Sequence, residues 1–257
     1  MGIVSSKRKF IIALAILIVA QLAAYTFLGF QKQDYHIDEY STYQYANSDS
    51  IWWSIPQGEW TSPDYLLKQM LVDSPEEKFQ YGDIIRKQAD DLHPFLYSWT
   101  INTVCSLWPG EELSPWQGLA VNFIPAAGLT VLSAAIVLQI EKNRKLALLA
   151  AAVTAFSFGI VDMVMFIRMY TQLMFWTAAL CLIHLKYWEK RTPAFYVLMF
   201  AVSVCGTLTQ YHFLIFLFFS CLYFGVRLLV LRRWKEAALY AGTEAAGGGG
   251  GAPGFQD

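Results

Sequence analysis

The chain has 257 residues, of which 56% are hydrophobic and only 15% are charged, and its mean hydropathy is +0.37. Soluble domains of this length carry about 25% charged residues, so the composition excludes an ordinary soluble domain and indicates a polytopic membrane protein. The formal net charge is −1 and no basic stripe is interleaved with aromatic residues, which argues against a nucleic-acid partner.

The first element follows a basic start and is an apolar run over residues 10–30. About 20 apolar residues span a bilayer as a helix at ~1.5 Å per residue, whereas a signal peptide has a shorter apolar core. We therefore predict an uncleaved first span. Later apolar runs predict five more spans, at residues 114–140, 146–167, 169–188, 194–211 and 213–231.

A shorter apolar piece, residues 94–108, decides the sidedness of everything that follows it. If this piece lies in the interface, all four basic clusters of the chain fall on one side, which the positive-inside rule assigns to the cytoplasm. These clusters are Lys7/Arg8/Lys9, Lys142/Arg144/Lys145, Lys186/Lys190/Arg191 and Arg227/Arg232/Arg233/Lys235. We therefore predict an all-α, polytopic helical bundle of six spans in the plasma membrane, with both termini cytoplasmic.

Residues 31–113 would form a large extracytoplasmic loop that carries the interfacial helix 94–108. Within this loop, residues 31–93 contain five basic and twelve acidic residues, which give a net charge of −7. The tail, residues 236–257, is rich in Gly and Ala. Its composition predicts a linker or truncation scar outside the membrane module of residues 1–235.

With this topology, unusual polar side chains from four distant stretches gather at the outer membrane face. They are Asp38 and Glu39 after the first span, His93 at the membrane re-entry, Arg168 and Tyr170 at one outer turn, and Tyr211 and His212 at the next. Each stretch alone has an ordinary explanation: a helix N-terminus, a turn before proline, a cation reaching headgroups, or an aromatic belt. Ionisable groups at membrane depth are costly and usually functional, so their convergence favours a shared site.

Four motifs carry a resemblance to a known family. The segments "DEY" (38–40), "DLHPFLYSW" (91–99), "RMY" (168–170) and "QYH" (210–212) resemble those of polytopic GT-C glycosyltransferases, in particular bacterial members of the protein-mannosyltransferase type, which are glycosyltransferase family 39-like. The resemblance covers residues 5–235 and corresponds to the N-terminal half of the family. The family's re-entry motif usually reads His-Pro-Pro-Leu-Tyr-Tyr; here Phe95 and Ser98 differ, and Asn122 lies near a position that is often Arg.

The resemblance implies inverting transfer of a sugar from a polyprenyl-phosphate-linked donor to a lipid, glycan or protein acceptor at the outer membrane face. Asp38 is then the expected base for the acceptor hydroxyl, with Glu39 as its helper. Cations and donors stabilise a leaving phosphate. The side chains expected in that role are His93, Arg168, Tyr170, Tyr211 and His212. No cofactor is expected, although an acid pair can hold a divalent metal ion.

A non-catalytic polytopic membrane protein is the alternative. It would be a transporter or channel subunit, or a lipid-binding scaffold on the same fold without activity. Transporters place substrate sites near the midplane on discontinuous helices, often within inverted repeats, and the sequence shows no inverted repeat. An activity assay separates the scaffold from the enzyme.

Overall fold

The structure is a computed structural model that describes residues 7–48, 57–89 and 93–249. Within these residues all regular structure is helical, which confirms the all-α prediction for the described part of the chain. The helices are α1 (Lys7–Gly29), α2 (Ile37–Asn47), α3 (Pro63–Lys68), α4 (Tyr81–Gln88), α5 (Leu96–Leu107), α6 (Pro115–Glu141), α7 (Arg144–Phe156), α8 (Phe158–Met165), α9 (Tyr170–Lys186), α10 (Pro193–Thr209), α11 (Phe213–Val230) and α12 (Trp234–Gly249), with a 3-10 turn at Pro75–Glu77.

Three described helices, α1, α6 and α11, are long and apolar enough to cross a membrane. Helices α7 and α8 add a fourth if they count as one span, and α10 is apolar but shorter. The described chain is thus a helical protein with three to four candidate membrane spans. The sequence predicted six, and the two further spans would be α9 and α10, of 17 residues each.

The segment that was predicted as one span, residues 146–167, is bent by 47° between α7 and α8. Ser157 lies at the break with an extended backbone, φ −66° and ψ 138°, and ends one helix as it begins the next. Serine competes with helical hydrogen bonding and therefore favours helix ends over helix interiors. Apolar periodicity alone could not reveal this break, because the residues on both sides of Ser157 are apolar.

Helix α6 is central to the bundle, because it packs against α1, α5, α7, α8 and α9. Its start is encoded locally: the Ser114 hydroxyl accepts a hydrogen bond from the Trp116 amide at 3.3 Å, and Pro115 occupies the first helical position. Helix α9 joins this group to a second one formed with α10, α11 and α12. The small helices α2 and α4 pack against α5 at one end of the bundle.

The tail differs from the linker that its composition predicted, because it is helical to Gly249. Helix α12 packs against α10 and α11, and buried Tyr240 lies 2.8 Å from His184 Nε2 through its hydroxyl. A Cβ at Gly247 would lie 2.9 Å from the Ser203 Cβ, so small residues let the two helices approach closely. Residues 250–257 lie outside the described part of the chain.

Candidate functional site

The acid pair begins helix α2 and is arranged around its N-cap residue, His36. The Asp38 amide donates to His36 Nδ1 at 3.2 Å, and the His36 amide donates to Glu39 Oε2 at 2.7 Å. This reciprocal pattern is a capping box, which satisfies backbone donors that a helix start otherwise leaves unpaired. Glu39 therefore has a structural role at the start of α2.

The Glu39 carboxylate is fully used by its surroundings. Its side chain is 1% exposed, and Lys32 Nζ lies 2.9 Å from Oε1 and 3.0 Å from Oε2. The Ile167 amide donates to Oε1 at 2.7 Å, although it is 128 residues away in sequence. Glu39 therefore fastens the start of α2 to the turn between α8 and α9.

Arg168 lies in that turn, with its residue 6% exposed. Its Nη1 donates to the Asp38 carbonyl and to Thr42 Oγ1, both at 3.2 Å, and its Nη2 lies 3.4 Å from His93 Nε2. Among the described residues, Nε has no hydrogen-bond partner and no carboxylate forms an ion pair with the guanidinium. The described hydrogen-bond partners of this buried cation are therefore a backbone carbonyl, a threonine hydroxyl and the His93 ring.

Asn122 holds the turn that presents Arg168. It is fully buried in α6, and its Nδ2 donates to the Val164 carbonyl at 3.0 Å and to the Phe166 carbonyl at 2.9 Å. Its Oδ1 accepts from the Tyr97 hydroxyl at 2.9 Å. These bonds pair carbonyls at the end of α8, which a helix C-terminus leaves open, and so fix the path of the chain into Arg168.

A glycine in α6 permits the close approach of the same turn. A Cβ at Gly118 would overlap the Ile167 side chain and lie 2.8 Å from the Tyr43 hydroxyl oxygen. That hydroxyl donates to the Ser114 carbonyl at 2.8 Å and accepts from the Gly118 amide at 2.9 Å. Helix α2, the start of α6 and the α8–α9 turn therefore meet with no room for a larger residue.

The Asp38 carboxylate differs from that of Glu39, because its side chain is 46% exposed and its one described side-chain partner is His36 Nδ1 at 3.6 Å. The His36 ring packs edge-on against Phe166 at a centroid distance of 5.5 Å. Phe166 in turn stacks with Tyr170 at 6.0 Å. The accessible Asp38 carboxylate is thus connected to the partly buried Tyr170 through contacts of the His36 and Phe166 rings.

Tyr211 and His212 lie in the turn between α10 and α11. Because α8 to α11 follow one another through short connections, this turn is at the same end of the bundle as the α8–α9 turn. His212 is exposed and Tyr211 is partly buried. In the described part of the chain, however, no hydrogen bond or ring contact joins either side chain to the acid pair or to Arg168.

Three residues that organise the site were not predicted from the sequence: the neutral Thr42 and Tyr97, and the cation Lys32. Burial raises the pKa of Tyr97 above its usual range, so its hydroxyl is a neutral donor across the accessible pH range. The position of Lys32 in the sequence could have suggested its role, because it is the first basic residue after the first apolar run and precedes Glu39 by seven positions. No feature of the sequence singles out Thr42.

The acid pair is a poor pair of metal ligands in this arrangement. Both Glu39 oxygens already accept hydrogen bonds, and the Lys32 ammonium occupies the place of a cation. Over residues 7–48, 57–89 and 93–249, no group of three or more His, Cys, Asp or Glu side chains could hold a metal ion. A metal bound here would first have to displace Lys32.

The seven sequence-predicted site residues therefore divide into two sets. Asp38, Glu39, His93 and Arg168 are in contact with one another or with a shared neighbour, and Tyr170 joins them through Phe166. Tyr211 and His212 lie at the same end of the bundle, in the turn between α10 and α11. Comparison with known proteins finds no matching protein family, no matching curated protein and no matching solved structure.

Proposed function

We propose that this chain is a membrane glycosyltransferase module that transfers a sugar, with inversion, from a polyprenyl-phosphate-linked donor to a lipid, glycan or protein acceptor. The observation that carries the proposal is Arg168, a buried guanidinium without an ion-pair partner among the described residues. Burying a charge is costly unless it is paired. A phosphate beside Arg168 would supply the missing negative charge, and guanidinium groups suit phosphate oxygens well.

The leaving group of the reaction fits this cation. As the bond between the anomeric carbon and the phosphate oxygen breaks, negative charge grows on the lipid phosphate, and preorganised donors stabilise it most in the transition state. Arg168 would donate from Nε, which has no described partner, and His93 and Tyr170 would add neutral or charged donors. Tyr211 and His212 would approach the phosphate from the neighbouring turn.

Asp38 is the better base of the acid pair, because its carboxylate is accessible whereas that of Glu39 is occupied. In the proposed step, an Asp38 oxygen takes the proton of the acceptor hydroxyl while the acceptor oxygen attacks the anomeric carbon. The sugar–phosphate bond breaks on the opposite face, and the lipid phosphate departs with its electron pair. The single displacement inverts the anomeric configuration. Glu39 acts as the positioning residue of this arrangement.

The proposal includes a topology of six spans in the plasma membrane, with both termini cytoplasmic and the site at the outer face. It is supported by the placement of basic residues, such as Arg144 and Lys186, at the helix ends away from the α8–α9 turn. A cysteine introduced at exposed Glu76 should react with an impermeant maleimide in intact cells. One introduced at exposed Lys190 should react only after permeabilisation, and the reverse pattern would refute the sidedness.

Phosphate binding can be tested before the sugar is known, with farnesyl phosphate as the probe and farnesol as the uncharged comparison. The full chain should bind farnesyl phosphate more tightly, and Arg168→Gln should lose about ten- to hundredfold of that affinity, the equivalent of one charged hydrogen bond. Arg86→Gln is the matched control, because Arg86 is exposed on α4 and pairs with Asp83. Equal losses in both variants would refute an anion site at Arg168.

Transfer itself is tested with polyprenyl-phosphate mannose and polyprenyl-phosphate glucose, by following release of the free lipid phosphate and the anomeric configuration of the product. Asp38→Asn should abolish release while farnesyl phosphate still binds. Unchanged release in Asp38→Asn would remove the base assignment. A retained anomeric configuration would remove the single displacement.

A non-catalytic role is favoured by one observation, the 47° break between α7 and α8. Discontinuous helices are typical of transporters, whose substrate sites lie at such breaks. On that alternative, the Arg168 site would bind a lipid phosphate without turnover. Binding of farnesyl phosphate by a wild-type chain that releases no lipid phosphate from either donor would favour this alternative.

A further inference from the structure

A separate cavity of about 390 Å³ lies between α5, α6 and α9, and its lining contains no ionisable side chain. Its volume falls within the range of small-molecule sites. At about 30 Å³ for each water-sized group, it accommodates roughly a dozen methylene-sized groups. The walls are mainly aliphatic and aromatic, including Val121, Ile124 and Phe175, so they suit a hydrocarbon chain.

Two buried polar atoms in the cavity wall lack partners among the described residues: Gln172 Oε1 and Trp176 Nε1. The whole Gln172 residue is only 8% exposed. Because the two residues are four apart in α9, their side chains lie on the same helix face one turn apart. An acceptor and a donor therefore stand side by side in an otherwise apolar wall, and each costs free energy while it is unpaired.

A third polar group follows from the proline in α6. Pro125 has no N–H, so the Val121 carbonyl, four residues earlier, lacks its helical donor. Both residues line the same cavity. The two threonine hydroxyls of the wall are already engaged: Thr100 Oγ1 donates to the Tyr97 carbonyl at 2.7 Å, and Thr103 Oγ1 donates to the Trp99 carbonyl at 2.7 Å. The polar groups of the cavity wall that lack a described partner therefore lie on α9 and at the Val121 carbonyl, four residues before Pro125.

We propose that this cavity binds a long-chain neutral alcohol, with its hydroxyl between Gln172 and Trp176. A hydroxyl both accepts and donates, so it can accept from Trp176 Nε1 and donate to Gln172 Oε1 or to the Val121 carbonyl. If the Gln172 amide is turned so that its oxygen and nitrogen exchange places, the hydroxyl can accept from the amide nitrogen. An anion is disfavoured because the wall offers no cation, and an alkane leaves all three groups unpaired.

The test uses photolabelling of the full chain in phosphatidylcholine nanodiscs. The probe is a twelve-carbon alcohol that carries a diazirine near the end of its chain, and labelled residues are mapped by peptide mass spectrometry. Label is expected on peptides of α5, α6 and α9 that line the cavity. Dodecanol should compete at concentrations about tenfold or more below those needed for dodecane, which makes no hydrogen bond, or for dodecyl phosphate, whose charge meets no cation in the wall.

Matched variants separate the polar groups from the shape of the cavity. Trp176→Phe removes the donor and Gln172→Leu removes the amide, and each should weaken the preference for dodecanol over dodecane. Trp108→Phe is the control, because Trp108 is exposed outside the cavity lining, and it should keep the preference. Farnesol tests the source of the ligand: stronger competition by farnesol indicates an isoprenoid alcohol, and stronger competition by dodecanol indicates a linear one.

Three results would overturn the proposal. Equal competition by dodecane would mean that the cavity binds only a hydrocarbon, and equal competition by dodecyl phosphate would mean that charge is tolerated. Absence of label from the cavity peptides would mean that the cavity does not bind a long-chain alcohol. Because labelling needs no turnover and no phosphate binding, failure of the glycosyltransferase proposal leaves this inference standing, and the reverse also holds.

Discussion

Replacing Glu39 by Gln tests whether this acid is a structural anchor. The Glu39 carboxylate accepts from the Lys32 ammonium and from the amides of His36 and Ile167. An amide keeps one oxygen, turns an NH₂ group toward one of these donors, and leaves Lys32 without its counter-charge. Removing one partner of a buried ion pair costs about 3–5 kcal/mol. At about 2–4 °C per kcal/mol for a chain of this size, the unfolding temperature should fall by roughly 6–20 °C.

The adjacent acid provides the control. Asp38→Asn has the same chemical change one residue earlier, but the Asp38 side chain is 46% exposed. Its charge at a helix N-terminus contributes about 0.3–1 kcal/mol, so the unfolding temperature should fall by about 4 °C at most. The assay is thermal unfolding of the detergent-solubilised chain, followed by tryptophan fluorescence. Equal shifts in the two variants, or an unchanged unfolding temperature in Glu39→Gln, would refute the anchor role.

Three further predictions concern packing and titration. Gly118→Ala should force Ile167 away from α6 and lower the unfolding temperature, whereas Gly82→Ala on α4, where a Cβ meets nothing, should not. Burial raises the pKa of Glu244 from its ordinary 4.5 to about 7, so the folded chain binds this proton more tightly than the unfolded chain does. The free energy of unfolding should therefore fall as the pH rises from about 4.5 to 7. Glu244→Gln should flatten this pH dependence. Burial also raises the pKa of the Cys105 thiol to about 11, so intact-mass analysis at pH 8 should show Cys105 alkylated by iodoacetamide only after unfolding.

The sequence predicted the all-α class of the described residues, and some helix ends were predicted to within a residue or two. The ends of α6, for example, were predicted at residues 114 and 140 and lie at Pro115 and Glu141. The break at Ser157 and the helical tail were not predicted. The helical tail depends on tertiary packing: α12 has little intrinsic helix preference in its Gly-rich end, and its buried face contacts α10 and α11.

The residues of the candidate site were predicted in part, but the different roles of Asp38 and Glu39 were not. Asp38, Glu39, His93 and Arg168 stood out because they are polar residues beside apolar runs. Nothing in the local pattern distinguishes Asp38 from Glu39, since the two are adjacent acids at a helix start. The distinction comes from the Ile167 amide, which only the fold brings to Glu39, so it could not be read from residues 35–45.

The charge at the α8–α9 turn explains why an asparagine suits position 122. Asn122 provides two N–H donors and one acceptor without a charge, and these pair with Val164, Phe166 and Tyr97. An arginine there would place a second cation in the buried wall behind Arg168. With Asn122 neutral and Glu39 neutralised by Lys32, the net charge of this buried group is that of Arg168 alone. The turn is therefore held by the neutral hydrogen bonds of Asn122 and by the Ile167 amide on the Glu39 carboxylate, and the proposed phosphate would match its remaining positive charge.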